Sequence, residues 1–139
     1  MADTPHAAHR PRPLSPHVFH YSWPVAMATS ITHRVTGCGL AAGTILLTWW
    51  LIAIASGPAT YNRFMDLAAT PLGQVILFGF TWSLAFHLLN GIRHLAWDLG
   101  YGFSIAAART TSILVIAGSI LLAAGVFVLA YTGHGGYYQ

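Results

Sequence analysis

Charge is what this chain lacks most. Of its 139 residues only 6% are charged, while 55% are hydrophobic. Soluble domains carry roughly 25% charged residues, so this balance belongs to an integral membrane protein. Lysine is absent, all positive charge is arginine, and the net charge is +3. So small and scattered an excess excludes a nucleic-acid footprint and reads instead as loop charge that orients membrane spans. Cysteine is reduced to Cys38, inside an apolar run, which excludes disulfide frameworks, zinc sites and any iron–sulfur cluster held by this chain. A phosphate-binding glycine loop, a zinc-protease motif and a buried carboxylate pair are missing as well. Any redox chemistry must therefore come from a bound cofactor. The opening Met1-Ala-Asp-Thr-Pro-His6 has no apolar stretch of a signal peptide and no resemblance to a transit peptide. Residues 1–21 are rich in proline and histidine and are expected to form a tail or an interfacial segment.

What the chain does have is three long apolar runs, which predict an all-α, three-span transmembrane domain over residues 22–132. The first span is expected at 24–55, with Pro24 suited to an opening helical turn. Positions 35–55 carry no charge, and about 21 residues suffice to cross roughly 30 Å of hydrocarbon. Trp49 and Trp50 fall where an aromatic belt belongs. Gly37, Gly39 and Gly43 make a small-residue surface, including Gly39-x-x-x-Gly43, suited to close helix packing. Residues 56–70 read as a loop and 71–98 as the second span. After a short connection, 109–131 form a third span with nothing more polar than serine and threonine. Residues 133–139 read as a polar tail. With Arg10, Arg12, Arg34, Arg93 and Arg109 at one membrane face and only Arg63 at the other, arginine bias predicts an N-in, C-out orientation.

The chemistry concentrates in His87-Leu-Leu-Asn-Gly-Ile-Arg-His-Leu-Ala-Trp-Asp98. On a helix, His87, Gly91, His94 and Asp98 share one face. A histidine inside a membrane span is costly and marks a functional site by default. Gly91, one turn away, removes a side chain and would let a flat, bulky partner approach. The layout suits a b-type haem, with iron on a buried imidazole and propionates near cations. Taken alone, His87 equally suits a hydrogen bond between helices, and Arg93 with Asp98 suits an interfacial ion pair. For His94 a structural or propionate-contacting role is the better fit.

A second cluster, Ser30-Ile-Thr-His-Arg34, lies at the matching end of the first span, and antiparallel packing predicts that it sits level with Arg93, His94 and Asp98. His87 is about 10 Å deeper than His94 at 1.5 Å per residue, so these two cannot both ligate one iron. With His33 expected at the His94 level, it too is badly placed to face His87 across a haem. The second axial ligand should then come from another chain, and the shallow groups His33, Arg34, Arg93 and His94 are placed to neutralise propionates.

Three stretches together, Arg12-Pro-Leu-Ser-Pro-His17, Ser30-Ile-Thr-His-Arg-Val-Thr-Gly37 and His87-x-x-x-Gly-Ile-Arg-His-Leu-x-Trp-Asp98, resemble the cytochrome b556 membrane-anchor subunits of succinate dehydrogenase, respiratory complex II. The likeness covers roughly residues 12–131. It implies half of a heterodimeric anchor bundle, with haem b held between this chain and a second anchor subunit. It further implies an iron–sulfur subunit and a flavoprotein subunit that carry the clusters and FAD, and ubiquinone as electron acceptor. By motif position His87 corresponds to the axial haem-iron ligand, Ser30 and Arg34 to quinone-site residues, and His33, Arg34 and His94 to the propionate region. No catalytic residue is implied for this chain by itself. A bacterial inner membrane is the expected location, ahead of a mitochondrial one. Anchors of quinol:fumarate reductases are related, and a small proton-relay or transport protein is the alternative of a different class.

Overall fold

The computed structural model describes residues 22–134. They form four helices: α1 (Val25–Ala55), α2 (Pro58–Ala69), α3 (Pro71–Asp98) and α4 (Ile105–His134). Among the described residues there is no strand, as the all-α expectation requires. The helices α1, α3 and α4 have 31, 28 and 30 residues, or about 42–47 Å at 1.5 Å per residue. All three are long and apolar enough to cross a membrane. The tail expected over 1–21, with its Arg12–His17 stretch, and the chain beyond His134 lie outside the described residues.

The helix boundaries follow from local chemistry. Proline sits at the first turn of α2 and α3, where a missing N–H costs nothing. Thr70 caps α3, its Oγ1 accepting from the Gly73 N–H at 3.1 Å. Ser104 does the same for the Ala107 N–H at 3.1 Å. That cap starts α4 at Ile105, ahead of the expected boundary at 109, and places Arg109 on the helix. Residues 56–70 are not a loop. Gly57 takes a left-handed φ of 99° that ends α1, and Pro58 opens the amphipathic α2. Its Phe64 is buried edge-on against Trp49, with ring centroids 4.9 Å apart, while Asn62, Arg63 and Asp66 are exposed.

Helices α1 and α3 pack antiparallel along the glycine seam. A Cβ on Gly37 would lie 3.1 Å from His87 Cε1, and one on Gly39 would lie 3.7 Å from Ser83 Oγ. A Cβ on Gly43 would fall within the Phe80 ring. These glycines therefore serve helix approach, as the small-residue surface predicted. The outer faces of the bundle are apolar: Leu72, Leu121 and Leu129 are each about 70% exposed. In hydrocarbon that exposure carries no penalty, because lipid tails are as apolar as leucine.

Candidate functional site

The site is built where the α1–α3 seam meets the polar end of the bundle. Thr29 on α1 bonds Arg93 on α3, and Gly37 abuts His87. His33 lies midway between Thr29 and Gly37, so it faces α3 midway between 87 and 93. The expectation that His33 is level with His94 is thereby corrected, since the helices are offset by about a turn. Ser30 falls level with Arg93, while His33 and Arg34 lie deeper.

The consequence is a contiguous histidine cluster. The His33 ring stacks on His87 with centroids 3.9 Å apart and planes 11° from parallel. His94 lies 5.3 Å from His33 at a 41° tilt and meets Trp97 edge-on at 5.0 Å. His33 therefore contacts both other histidines.

Hydrogen-bond roles fix the tautomer of His87. Its Nδ1 is 3.2 Å from the His33 carbonyl oxygen, which can only accept. The same carbonyl receives the Thr36 hydroxyl at 3.0 Å, leaving Thr36 Oγ1 to accept at 3.4 Å from His87 Nδ1. Nδ1 must therefore carry the proton, and Nε2 keeps its lone pair with no hydrogen-bond partner among the described residues. A ligating histidine needs this arrangement, with one nitrogen anchored as donor and the other free for a metal. Sequence reasoning left the Nδ1 partner unidentified. Thr36, one helical turn from His33 inside the Ser30–Gly37 stretch, was the available signal.

Arg93 is corrected in role. It was expected to face the propionate region, but it is buried and turned into the bundle. Its Nε donates to Thr111 Oγ1 at 3.0 Å, and one terminal nitrogen donates to Thr29 Oγ1 at 3.3 Å and Asn90 Oδ1 at 3.2 Å. The other donates to the Ala108 carbonyl at 3.2 Å. The Trp97 ring covers the guanidinium, 4.1 Å from its carbon. With most of its donors engaged, Arg93 ties α1, α3 and α4 together and pairs with no carboxylate among the described residues. Asp98 is exposed. Thr29, Asn90 and Thr111 completed this network unnoticed in the sequence because each is unremarkable by itself.

Three features bear on whether a haem suits these residues. His87 presents a free Nε2. A Cβ on Gly91 would meet nothing within 4 Å, so the surface one turn from His87 is open to a flat group. His33 Nδ1, beside His87, is a buried polar atom without a hydrogen-bond partner among the described residues. The donor set fits the group. The stacked His33 ring cannot also be the opposite ligand, because two rings lying face to face do not point nitrogens at one metal between them. Ser30 is half-buried and Arg34 exposed, and neither side chain takes part in a hydrogen bond among the described residues. Both are free for a ligand.

Fold and site together define a multi-pass helical membrane protein with an intramembrane histidine cluster near one end of its bundle. Residues 8–126 match the family model described as succinate dehydrogenase/fumarate reductase transmembrane subunit, and the chain belongs to that family. It is 46% identical over 112 residues to the succinate dehydrogenase cytochrome b556 subunit of Paracoccus denitrificans, covering 81% of this chain and 86% of the relative. The protein of the same name from Rickettsia prowazekii is 42% identical over 111 residues, 80% of this chain and 86% of the relative. The human mitochondrial succinate dehydrogenase cytochrome b560 subunit is 36% identical over 120 residues, 83% and 69% of the respective chains. These names agree with the resemblance carried by the histidine motifs.

Proposed function

We propose that this chain is the cytochrome b anchor of a succinate:quinone oxidoreductase and carries electrons from succinate oxidation toward ubiquinone. The observation that carries the proposal is His87, with Nδ1 tied as a donor to the His33 carbonyl and Thr36 and with Nε2 free. Haem b, when bound, supplies a one-electron carrier within the membrane. His87 would hold its iron from this chain, and a second anchor subunit would supply the opposite ligand, since His33 and His94 are both unsuited to it. His33, Arg34 and His94 would neighbour the propionates.

Ser30 and Arg34 would bind the quinone. A quinone carbonyl gains negative charge as it is reduced, and a hydroxyl and a guanidinium held beside it stabilise that charge. Succinate chemistry would belong to a flavoprotein subunit with FAD and to an iron–sulfur subunit, docked on the face where Ser30 and Arg34 emerge. With the N-terminus inside, that is the cytoplasmic face of a bacterial inner membrane. The transmembrane surfaces meet lipid, and nothing in the charge pattern calls for nucleic acid.

The test is a dithionite-reduced minus oxidised visible spectrum of the complex purified through this chain. His87→Ala should abolish or shift the b-type α-band, while Ser30→Ala should keep the band and lose quinone reduction. Intact haem and intact quinone reduction in both variants would overturn the assignments. The same electron path serves a quinol:fumarate reductase run in the opposite direction, and comparing the two rates in that complex decides between them.

A further inference from the structure

At the α2 end, away from the histidines, the three spans part around an open-sided apolar cavity of about 740 Å³. Its walls come from every helix: Leu47 and Trp50 of α1, Met65 of α2, Leu77 and Phe80 of α3, and Val126 of α4. Apolar cavities of roughly 150 Å³ already take up benzene, and ligand pockets span roughly 300–1,000 Å³. A space this large beside bilayer hydrocarbon does not stay empty.

The few polar groups at its edge define the occupant. Gln74 Nε2 donates to the Ala68 carbonyl at 2.8 Å, and Tyr131 Oη donates to Gln74 Oε1 at 2.8 Å. The Thr81 hydroxyl donates to the Leu77 carbonyl at 2.8 Å. These bonds join α2, α3 and α4 and engage Gln74, Tyr131 and Thr81, leaving the Trp50 indole N–H as the main lining donor without a partner among the described residues. A quinone head or a peptide would bring more carbonyls than that single indole N–H satisfies, whereas a hydrocarbon chain needs none. Arg63 and Asp66, both exposed on α2, are the charged side chains at this end among the described residues, and a zwitterionic lipid headgroup at the level of such an interfacial helix offers a phosphate to one and an ammonium to the other.

We propose that this cavity holds an acyl chain of a membrane phospholipid, with its headgroup at α2 and its tail between α1, α3 and α4. The site is separate from the haem and quinone residues and stands whether or not their assignment holds.

The experiment uses the complex purified through this chain in nanodiscs of phosphatidylcholine containing a few per cent of a phosphatidylcholine with a diazirine on its acyl chain. After photolysis, peptide mapping should place label on the cavity residues Leu47, Met65 and Val126 at several times the level on the outward-facing Leu121. Filling the cavity from two different walls, by Ala68→Phe and separately by Val126→Trp, should each cut cavity labelling at least five-fold while leaving Leu121 labelling unchanged. Cavity labelling no higher than at Leu121, or unaffected by both fillings in folded complexes, overturns the proposal. So does displacement of the label by a short-chain ubiquinone, or a cavity filled by another subunit's side chains.

Discussion

Gly43 in the α1–α3 seam and Gly125 on α4 give opposite predictions for the same substitution. Gly43→Ala and Gly125→Ala both replace glycine with the best helix former, a change worth about 1 kcal/mol in a helix interior. At Gly125 a Cβ would meet nothing within 4 Å, so the variant should be neutral or slightly more stable. At Gly43 the Cβ would fall within the Phe80 ring, and the ring or the helix must move. Overpacking of this kind costs about 1–3 kcal/mol. Set against the propensity gain, the net loss for Gly43→Ala is about 0–2 kcal/mol. Phe80→Leu alone should cost about 1 kcal/mol in lost packing. Combined with Gly43→Ala it vacates the space that the new methyl needs, so the two changes should couple favourably by about 1 kcal/mol or more. Unfolding of the chain in mixed micelles by titrated dodecyl sulfate, followed by helical circular dichroism, measures all four variants. Gly43→Ala as benign as Gly125→Ala, or additive losses in the double variant, would show that α1 and α3 do not meet at this seam.

Three further outcomes follow from the site. Thr36→Val removes one acceptor from His87 Nδ1 but leaves the His33 carbonyl, so haem affinity should fall about ten-fold, the low end for losing an outer-shell partner; haem titration of the apo-complex checks it. Gly91→Leu should leave the helix content unchanged and sharply lower haem content per complex, because the open surface beside His87 is filled; full haem occupancy would remove Gly91 from the site. Arg93→Lys keeps the charge, but a point ammonium cannot fork to Thr29, Thr111 and Ala108 together. At about 0.6 kcal/mol for a hydrogen bond between membrane helices, losing three costs about 2 kcal/mol. Thermal dissociation of the complex should show Arg93→Lys no more stable than Arg93→Met.

The three spans were legible because apolar length alone specifies them, and α1, α3 and α4 are the helices long and apolar enough to cross a membrane. The amphipathic α2 was not, since Ser56-Gly-Pro58 and the charged pair Arg63 and Asp66 mimic a loop, and only Trp49 on another helix explains why Phe64 is buried. The shared face of His87 and His94 was legible from helical spacing, but the stacking of His33 on His87 was not, because the offset between α1 and α3 is set by which side chains the glycines admit.

The inward turn of Arg93 marks the deeper limit. A water-soluble helix is read by finding its apolar stripe and placing it in the core. Here the most buried side chains include Thr29, Thr36, Asn90, Ser112 and Ser119, while leucine and isoleucine face outward. Lipid offers hydrocarbon no reason to hide and offers polar groups no partner. Polarity therefore marks the interior of this bundle, and a polar residue in a span has two uses that sequence spacing does not separate. It either completes a contact within the chain, as Arg93 does with Thr29 and Thr111, or is left with an open donor or acceptor, as His87 is at Nε2. Telling them apart requires knowing which donors and acceptors remain open, and that is a property of the packed helices.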